Sequence, residues 1–135
     1  MAWVMACVAL AASGEALAVG QLADVRVIDR NGWVPLTTYF YRGEYWVAGK
    51  PGTIYAIEIR NRLNERVLAV TSVDGVNVIS GATANWDQPG YVFDPEQRCE
   101  ITGWRKSDSK VAVFTFTSLP NSYAARTGRP ATSVL

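Results

Sequence analysis

Histidine is absent from all 135 residues, and cysteine occurs only twice. Without histidine no Ser-His-Asp or Cys-His arrangement can activate a nucleophile, and a zinc site, which relies on His and Cys ligands, is not expected. Charge is scarce as well, at 19% of residues with a formal net charge of +1. A nucleic-acid-binding surface normally shows as a strongly basic face. Here 13 basic residues are spread among 12 acidic ones, so no nucleic-acid partner is expected. A membrane-spanning helix needs about 20 consecutive apolar residues, and the N-terminal apolar stretch stops well short of that, so no membrane span is expected. The phosphate-cradling glycine loop is missing too, because Gly49-Lys50-Pro51-Gly52 lacks the rest of that motif. Kinase and ATPase chemistry fall away, and no cofactor is expected.

What is present is a chain with 49% hydrophobic residues, enough for one globular domain and one packed core. Its first segment, Met1 to Ala12, is rich in Ala, Val and Met and leads through Ser13-Gly14-Glu15 into Ala16-Leu17-Ala18. An apolar stretch of about a dozen residues followed by a small-x-small site has the pattern of an export signal, with cleavage expected after Ala18. No Lys or Arg precedes the stretch, so the signal is either atypical or begins upstream. Residues 1–18 are read as the signal peptide and 19–135 as a single domain, which places the protein in the periplasm or outside the cell. Removal of Glu15 leaves 13 basic against 11 acidic residues, a formal charge of +2. Cys7 falls within the signal, which leaves Cys99 alone and rules out an intramolecular disulfide in the mature chain. Flanked by Arg98 and Glu100, Cys99 reads as a half-buried strand residue. The apolar run continues past Cys7, where a lipid-anchored protein would begin a polar tether, so simple secretion is preferred to lipidation.

From Val25 onward the hydrophobic period is two, with Gly, Pro, Asn or Asp punctuating the chain every eight to twelve residues. Val25 to Ile28 is a first strand, stopped by Asp29-Arg30-Asn31-Gly32 and followed by a candidate pairing segment from Trp33 to Leu36. Tyr39-Phe40-Tyr41 and Tyr45-Trp46-Val47 flank Arg42-Gly43-Glu44 as a hairpin. In Thr53 to Arg60, Tyr55, Ile57 and Ile59 share one face while Glu58 and Arg60 share the other. Val67 to Val73 and Val76 to Ile79 flank Asp74-Gly75, a strong hairpin signal. Ser80 to Gly90 has no periodicity and is the longest loop, the kind of segment that often carries function. Tyr91 to Phe93, Glu100 to Lys106 and Val111 to Thr117 complete the count. The expected fold is therefore all-β, an antiparallel sandwich of seven or eight strands, Ig-like or jelly-roll-like.

Several of these segments, taken in order, carry a resemblance. Tyr45-x-Val47-x-Gly49, Tyr55-x-Ile57, Ser72-Val73-Asp74-Gly75-Val76-Asn77-Val78-Ile79, Gly90-Tyr91, Gly103-Trp104-Arg105 and Ser122-Tyr123-Ala124 together resemble a group of small exported bacterial β-sandwich proteins of uncharacterised function. The resemblance covers Val25 to Pro130 and implies a β-sandwich in the periplasm or outside the cell, with no catalytic residues to carry over. It also implies a further apolar strand after Thr127-Gly128-Arg129-Pro130. The chain stops at Leu135, so the sheet is expected to lack that edge strand and to leave a neighbour open for self-association.

The acids available for hydrolysis are Glu58, Asp74, Asp87, Asp94 and Glu96, and no motif pairs any two of them. A weak hydrolase is retained as an alternative, but enzymatic activity is not expected. Asp29-x-Asn31-Gly32 and Asp74-Gly75-x-Asn77 put oxygen ligands beside glycines without completing a calcium loop, so both are read as turns and no metal site is expected. The positive hint lies in the aromatics Trp33, Tyr39, Tyr41, Tyr45, Trp46, Trp86, Tyr91 and Trp104. Flat rings stack on sugars and anchor proteins, and Arg42 and Arg105 could add cation–π contacts. Trp46 and Trp104, inside strands, are assigned to the core. Trp86, in the long loop, is the best single candidate for ligand contact, with Asp87, Tyr91 and Arg105 around it. The reading is a non-catalytic binding or structural module of the bacterial envelope whose partner is a protein or a glycan. A carbohydrate-binding domain and a self-assembling homo-oligomer are the main alternatives.

Overall fold

The computed structural model of the protein describes residues 2–5, 22–122, 126 and 128. Cys7, the expected cleavage point after Ala18 and the C-terminal segment 129–135 lie outside the described residues. In chain order the strands are β1 (Ala2–Met5), β2 (Ala23–Asp29), β3 (Val34–Pro35), β4 (Thr38–Tyr41), β5 (Glu44–Gly49), β6 (Ile54–Asn61), β7 (Val67–Ala69), β8 (Ser72–Val73), β9 (Val76–Asn77), β10 (Tyr91–Phe93), β11 (Arg98–Ile101), β12 (Gly103–Arg105) and β13 (Val111–Thr115). A 3-10 turn, Leu119–Asn121, follows them. The protein is all-β, and among the described residues every pairing is antiparallel and each sheet is open rather than closed on itself.

Strands outnumber the seven or eight expected because some apolar runs change partners midway. The Val67–Val73 run breaks at Val70-Thr71, where the chain leaves β10 and enters the β8–β9 hairpin. The Glu100–Lys106 run breaks at Thr102, where β11 ends its pairing with β6 and β12 takes up β13. Alternation survives such a change, so the sequence pattern does not mark it.

β6 organises the largest sheet. Along one edge it pairs with the whole of β2, from Ala23 opposite Asn61 to Asp29 opposite Tyr55. Its other edge is divided: β11 takes residues 57–60, and β13 takes Ile54 and Tyr55. Directly opposed residues share a face, so this register lines up Val25, Ile59 and Cys99 in one core-facing row and Val27, Ile57 and Ile101 in the next. Cys99 is half-buried, as expected. The opposite face carries Arg26, Glu58 and Glu100 beside Asp24, Arg60 and Arg98. Arg60–Glu96 at 2.8 Å and Arg98–Glu58 at 3.7 Å are ion pairs on this solvated surface. The Arg60–Glu96 pair, exposed on both sides, contributes little to stability.

Phe114 and Phe116 flank Tyr55 with ring centroids 5.3 and 4.3 Å away, and Trp104 meets Phe114 edge-on at 4.7 Å. Val73, Val76, Val78 and Phe93 complete the core. Trp104 is buried as expected, whereas Trp46 is only half-buried. The Phe116 ring fills the space where a side chain at Gly49 would begin, so that position accepts no Cβ without displacing the ring. The Asp74-Gly75 hairpin turns where expected, whereas the first hairpin turns on Arg42 and Gly43 alone, because Glu44 already pairs with Tyr41. Arg42 and Gly43, and likewise Asp74 and Gly75, have positive φ, the type I′ geometry that suits the right-handed twist of strands.

Burial, with the Asp74 carboxylate as a second and smaller influence, pushes the Tyr55 phenol well above its ordinary value. The folded state therefore holds this phenol neutral while the unfolded chain releases its proton near pH 10. Stability from this group is complete below about pH 10 and is lost as pH rises further, at up to about 1.4 kcal/mol per pH unit. Urea-unfolding midpoints measured from about pH 9 to 11 should fall less steeply for Tyr55→Phe than for the parent chain.

Candidate functional site

The Ser80–Gly90 segment leaves the β8–β9 hairpin and returns to β10, and its course is set by hydrogen bonds within a few residues of one another. Thr83 bridges back to Val76, Ala84 N donates to Gly75 O at 2.8 Å, and Asn77 N donates to Ala82 O at 2.9 Å. Next, the Gln88 side chain closes a ring across the tip. Its Oε1 accepts from Asn85 N and its Nε2 donates to Thr83 O, both at 2.8 Å. The Asn85 side chain also accepts from Trp86 N at 2.7 Å.

At the root sits Asn77, fully buried. Its Oδ1 accepts from Ile79 N at 2.8 Å and Ser80 N at 3.0 Å, and its Nδ2 donates to Pro89 O at 3.1 Å. One amide side chain thus ties the outgoing and returning limbs of the loop together. A short polar side chain bonding the N–H groups two and three residues on is a local motif, and this was the signal in Asn77-Val78-Ile79-Ser80 that sequence reasoning passed over.

On this frame Trp86 is 84% exposed, the most exposed of the large hydrophobic side chains among the described residues. Asp87 beside it is exposed too. Tyr91 is different: it is half-buried on β10, opposite Ala69, with its ring against the core. Arg105 is exposed at the end of β12, and its N–H donates to Val78 O at 2.7 Å, so its backbone is fixed to the residue next to Asn77. Asn77 and Val78 are therefore the common root of the Trp86 loop and of the Arg105 strand end. Tyr91 serves as packing beneath the loop rather than as a free ring.

A second aromatic surface lies on β4 and the segment before it. Tyr39, Phe40 and Tyr41 are each more than half exposed, as is Val34, and Trp33 is half exposed. All four residues of β4 are exposed, so this strand of the hairpin stands clear of the core while β5 keeps Val47 within it. Arg30 and Arg42 lie over Trp33 and Tyr41, 5.5 and 5.1 Å from the ring centroids.

The acids are engaged elsewhere. Glu58 and Glu96 take part in the ion pairs already described, and Asp94 pairs with Arg66 at 2.8 Å. Asp74 forms a turn. Among the described residues no three Cys, Asp or Glu side chains cluster as a metal site would require, and no helix is long and apolar enough to cross a membrane.

Asn77→Ala strands two backbone N–H groups and a carbonyl in or near the interior. It should cost about 1–3 kcal/mol, and hydrogen exchange in the 79–90 segment should quicken more than in β6. No protein-family model matches the chain, and neither a curated protein nor a solved structure matches it at a significant level.

Proposed function

We propose that the protein is an exported, non-catalytic binding module of the bacterial envelope, periplasmic or secreted, with a sandwich-type β scaffold that presents Trp86 to its ligand. The observation that carries this reading is the 84% exposure of Trp86 on a loop fixed by its own hydrogen bonds. A braced loop has lost its conformational freedom before the ligand arrives, so binding forfeits less entropy. The ring is a flat apolar face beside the carboxylate of Asp87, a pairing suited to the faces and hydroxyls of a sugar. Covering one face of an indole is worth about 2 kcal/mol. Pairing of Glu58, Asp94 and Glu96 with arginines supports a binding rather than a hydrolytic role. The pattern of residues 1–18 and the resemblance to small exported proteins support the location.

A second reading, self-association through sheet edges, draws on a separate observation, the seating of β1 on β5.

Acrylamide quenching of tryptophan fluorescence, repeated with a panel of envelope glycans, tests the first reading. The parent protein should show a strongly quenched component that Trp86→Ala removes and that one glycan protects. The substitution should weaken that glycan by roughly thirtyfold, the equivalent of about 2 kcal/mol. A quenched component that no glycan protects would move the ligand to a protein. Quenching unchanged by Trp86→Ala would end the reading.

A further inference from the structure

β5 is covered on one side by β4 and on the other by β1. β1 sets Ala2, Trp3, Val4 and Met5 opposite Gly49, Ala48, Val47 and Trp46. We propose that this edge of β5 is a self-pairing edge: when β1 leaves it, two copies of the chain join antiparallel through β5, with Val47 of each opposite Val47 of the other.

Three features of the sequence fit that register. Centring the two-fold axis on Val47 sets Trp46 opposite Ala48, Tyr45 opposite Gly49 and Glu44 opposite Lys50 of the second copy. Large residues thus meet small ones. The only charges in the segment meet as two symmetry-related opposite-sign pairs, an arrangement that stabilises strand pairing while like charges oppose it. The third feature is β1 itself. In that register the second copy's Tyr45-Trp46-Val47-Ala48 would occupy the places now held by Ala2-Trp3-Val4-Met5. Trp-Val falls on the same two positions in both, so β1 stands in for the strand of a second copy.

Backbone geometry allows the exchange. Tyr41 and Glu44 flank the two-residue turn as the first ladder pair, so alternation directs the N–H and C=O groups of Tyr45, Val47 and Gly49 towards the edge that β1 takes. An isologous pairing about Val47 would match each of these groups with its counterpart, because residues 45 and 49 exchange places across the axis. β5 also lacks the proline and inward-pointing charge with which sheet edges ordinarily resist such pairing. Among the described residues the buried core side chains run from Val27 to Phe116, and most of them lie on strands other than β5. That β1 departs in the cell rests on the export reading. The pairing itself does not.

Sedimentation velocity on the full chain tests the pairing directly. The parent chain should be monomeric, and Val4→Pro, which removes a ladder bond and releases β1, should dimerise at micromolar concentration with its strand circular dichroism retained. Adding Glu44→Lys should weaken that dimer by about tenfold at low salt, and adding Lys50→Glu as well should restore it. If Val4→Pro disrupts folding, the chain without residues 1–18 serves in its place with the same two charge variants. A monomer from every β1-released form, or a dimer indifferent to Glu44→Lys, would overturn the proposal. N-terminal sequencing of the exported protein separates this result from the export reading: an uncut chain would refute cleavage and leave the pairing standing.

Discussion

β6 has to satisfy backbone partners on both edges while it supplies the centre of the core, and the rest of the structure follows from how that is done. With β2 along one whole edge, the other must be shared, and the shared edge determines where β11 ends and β13 begins. The division falls between Tyr55 and Ile57. Phe114 therefore arrives opposite Tyr55, and β12, which follows β11 and pairs with β13, brings Trp104 onto Phe114. A central strand paired on both sides has no free donors or acceptors to desolvate, and it can bury Tyr55, Ala56, Ile57 and Ile59 at little polar cost.

That economy holds for the sheet but not for the connections, where buried backbone must find partners outside a ladder. Two asparagines do this. Asn61, at the end of β6, donates to Glu65 O at 2.7 Å and Asp94 O at 3.0 Å and accepts from Leu63 N at 2.9 Å, which closes the 62–66 turn onto the end of β10. Asn77 performs the same task for the Trp86 loop. In both cases a buried amide, bonded through both its oxygen and its nitrogen, fixes an irregular segment, since an unmade bond there is expensive. Thus the loop with the most exposed ring is tied to one of the most buried side chains, and the rigidity that suits Trp86 for recognition originates in the core.

The sequence was legible wherever local chemistry decides the outcome. Asp74-Gly75 and Arg42-Gly43 turn because few residues tolerate positive φ, and Tyr55, Ile57 and Ile59 face inward because a period of two fixes faces. It was not legible where the outcome depends on a partner remote in the chain. Nothing in Val67–Val73 or Glu100–Lys106 marks the residue at which one neighbouring strand replaces another. Likewise, the alternation of Thr38–Tyr41 is the same whether the strand lies over the core or beyond it, so the pattern does not show the exposure of Phe40 and Tyr41 on opposite faces. The exposure of Trp86 is not legible for a related reason: an aperiodic loop carries no face, and the Asn77 and Gln88 hydrogen bonds set its course. Tyr91, grouped with Trp86 by nearness in sequence, belongs to a strand whose face is set by its pairing with Ala69.

The β4–β5 hairpin presents the sharpest conflict between solubility and sequence. Exposed rings at Trp33, Tyr39, Phe40 and Tyr41 are adjacent to a strand, β5, that carries few of the devices by which natural sheets discourage pairing. Arg30 and Arg42 shade two of the rings, and a tilted contact at 5.0 Å joins Phe40 to Tyr45, but these cover only part of the surface. A domain with 19% charged residues has little repulsion in reserve to offset such a patch. The arrangement is coherent if the hairpin is normally covered. Within one chain, β1 covers the β5 edge. A second copy in the Val47-centred register would cover that same edge and extend the sheet across both hairpins. On this view the hairpin's aromatic character and its permissive edge have one cause, because a strand that must accept another strand cannot also carry the prolines and charges that would refuse it.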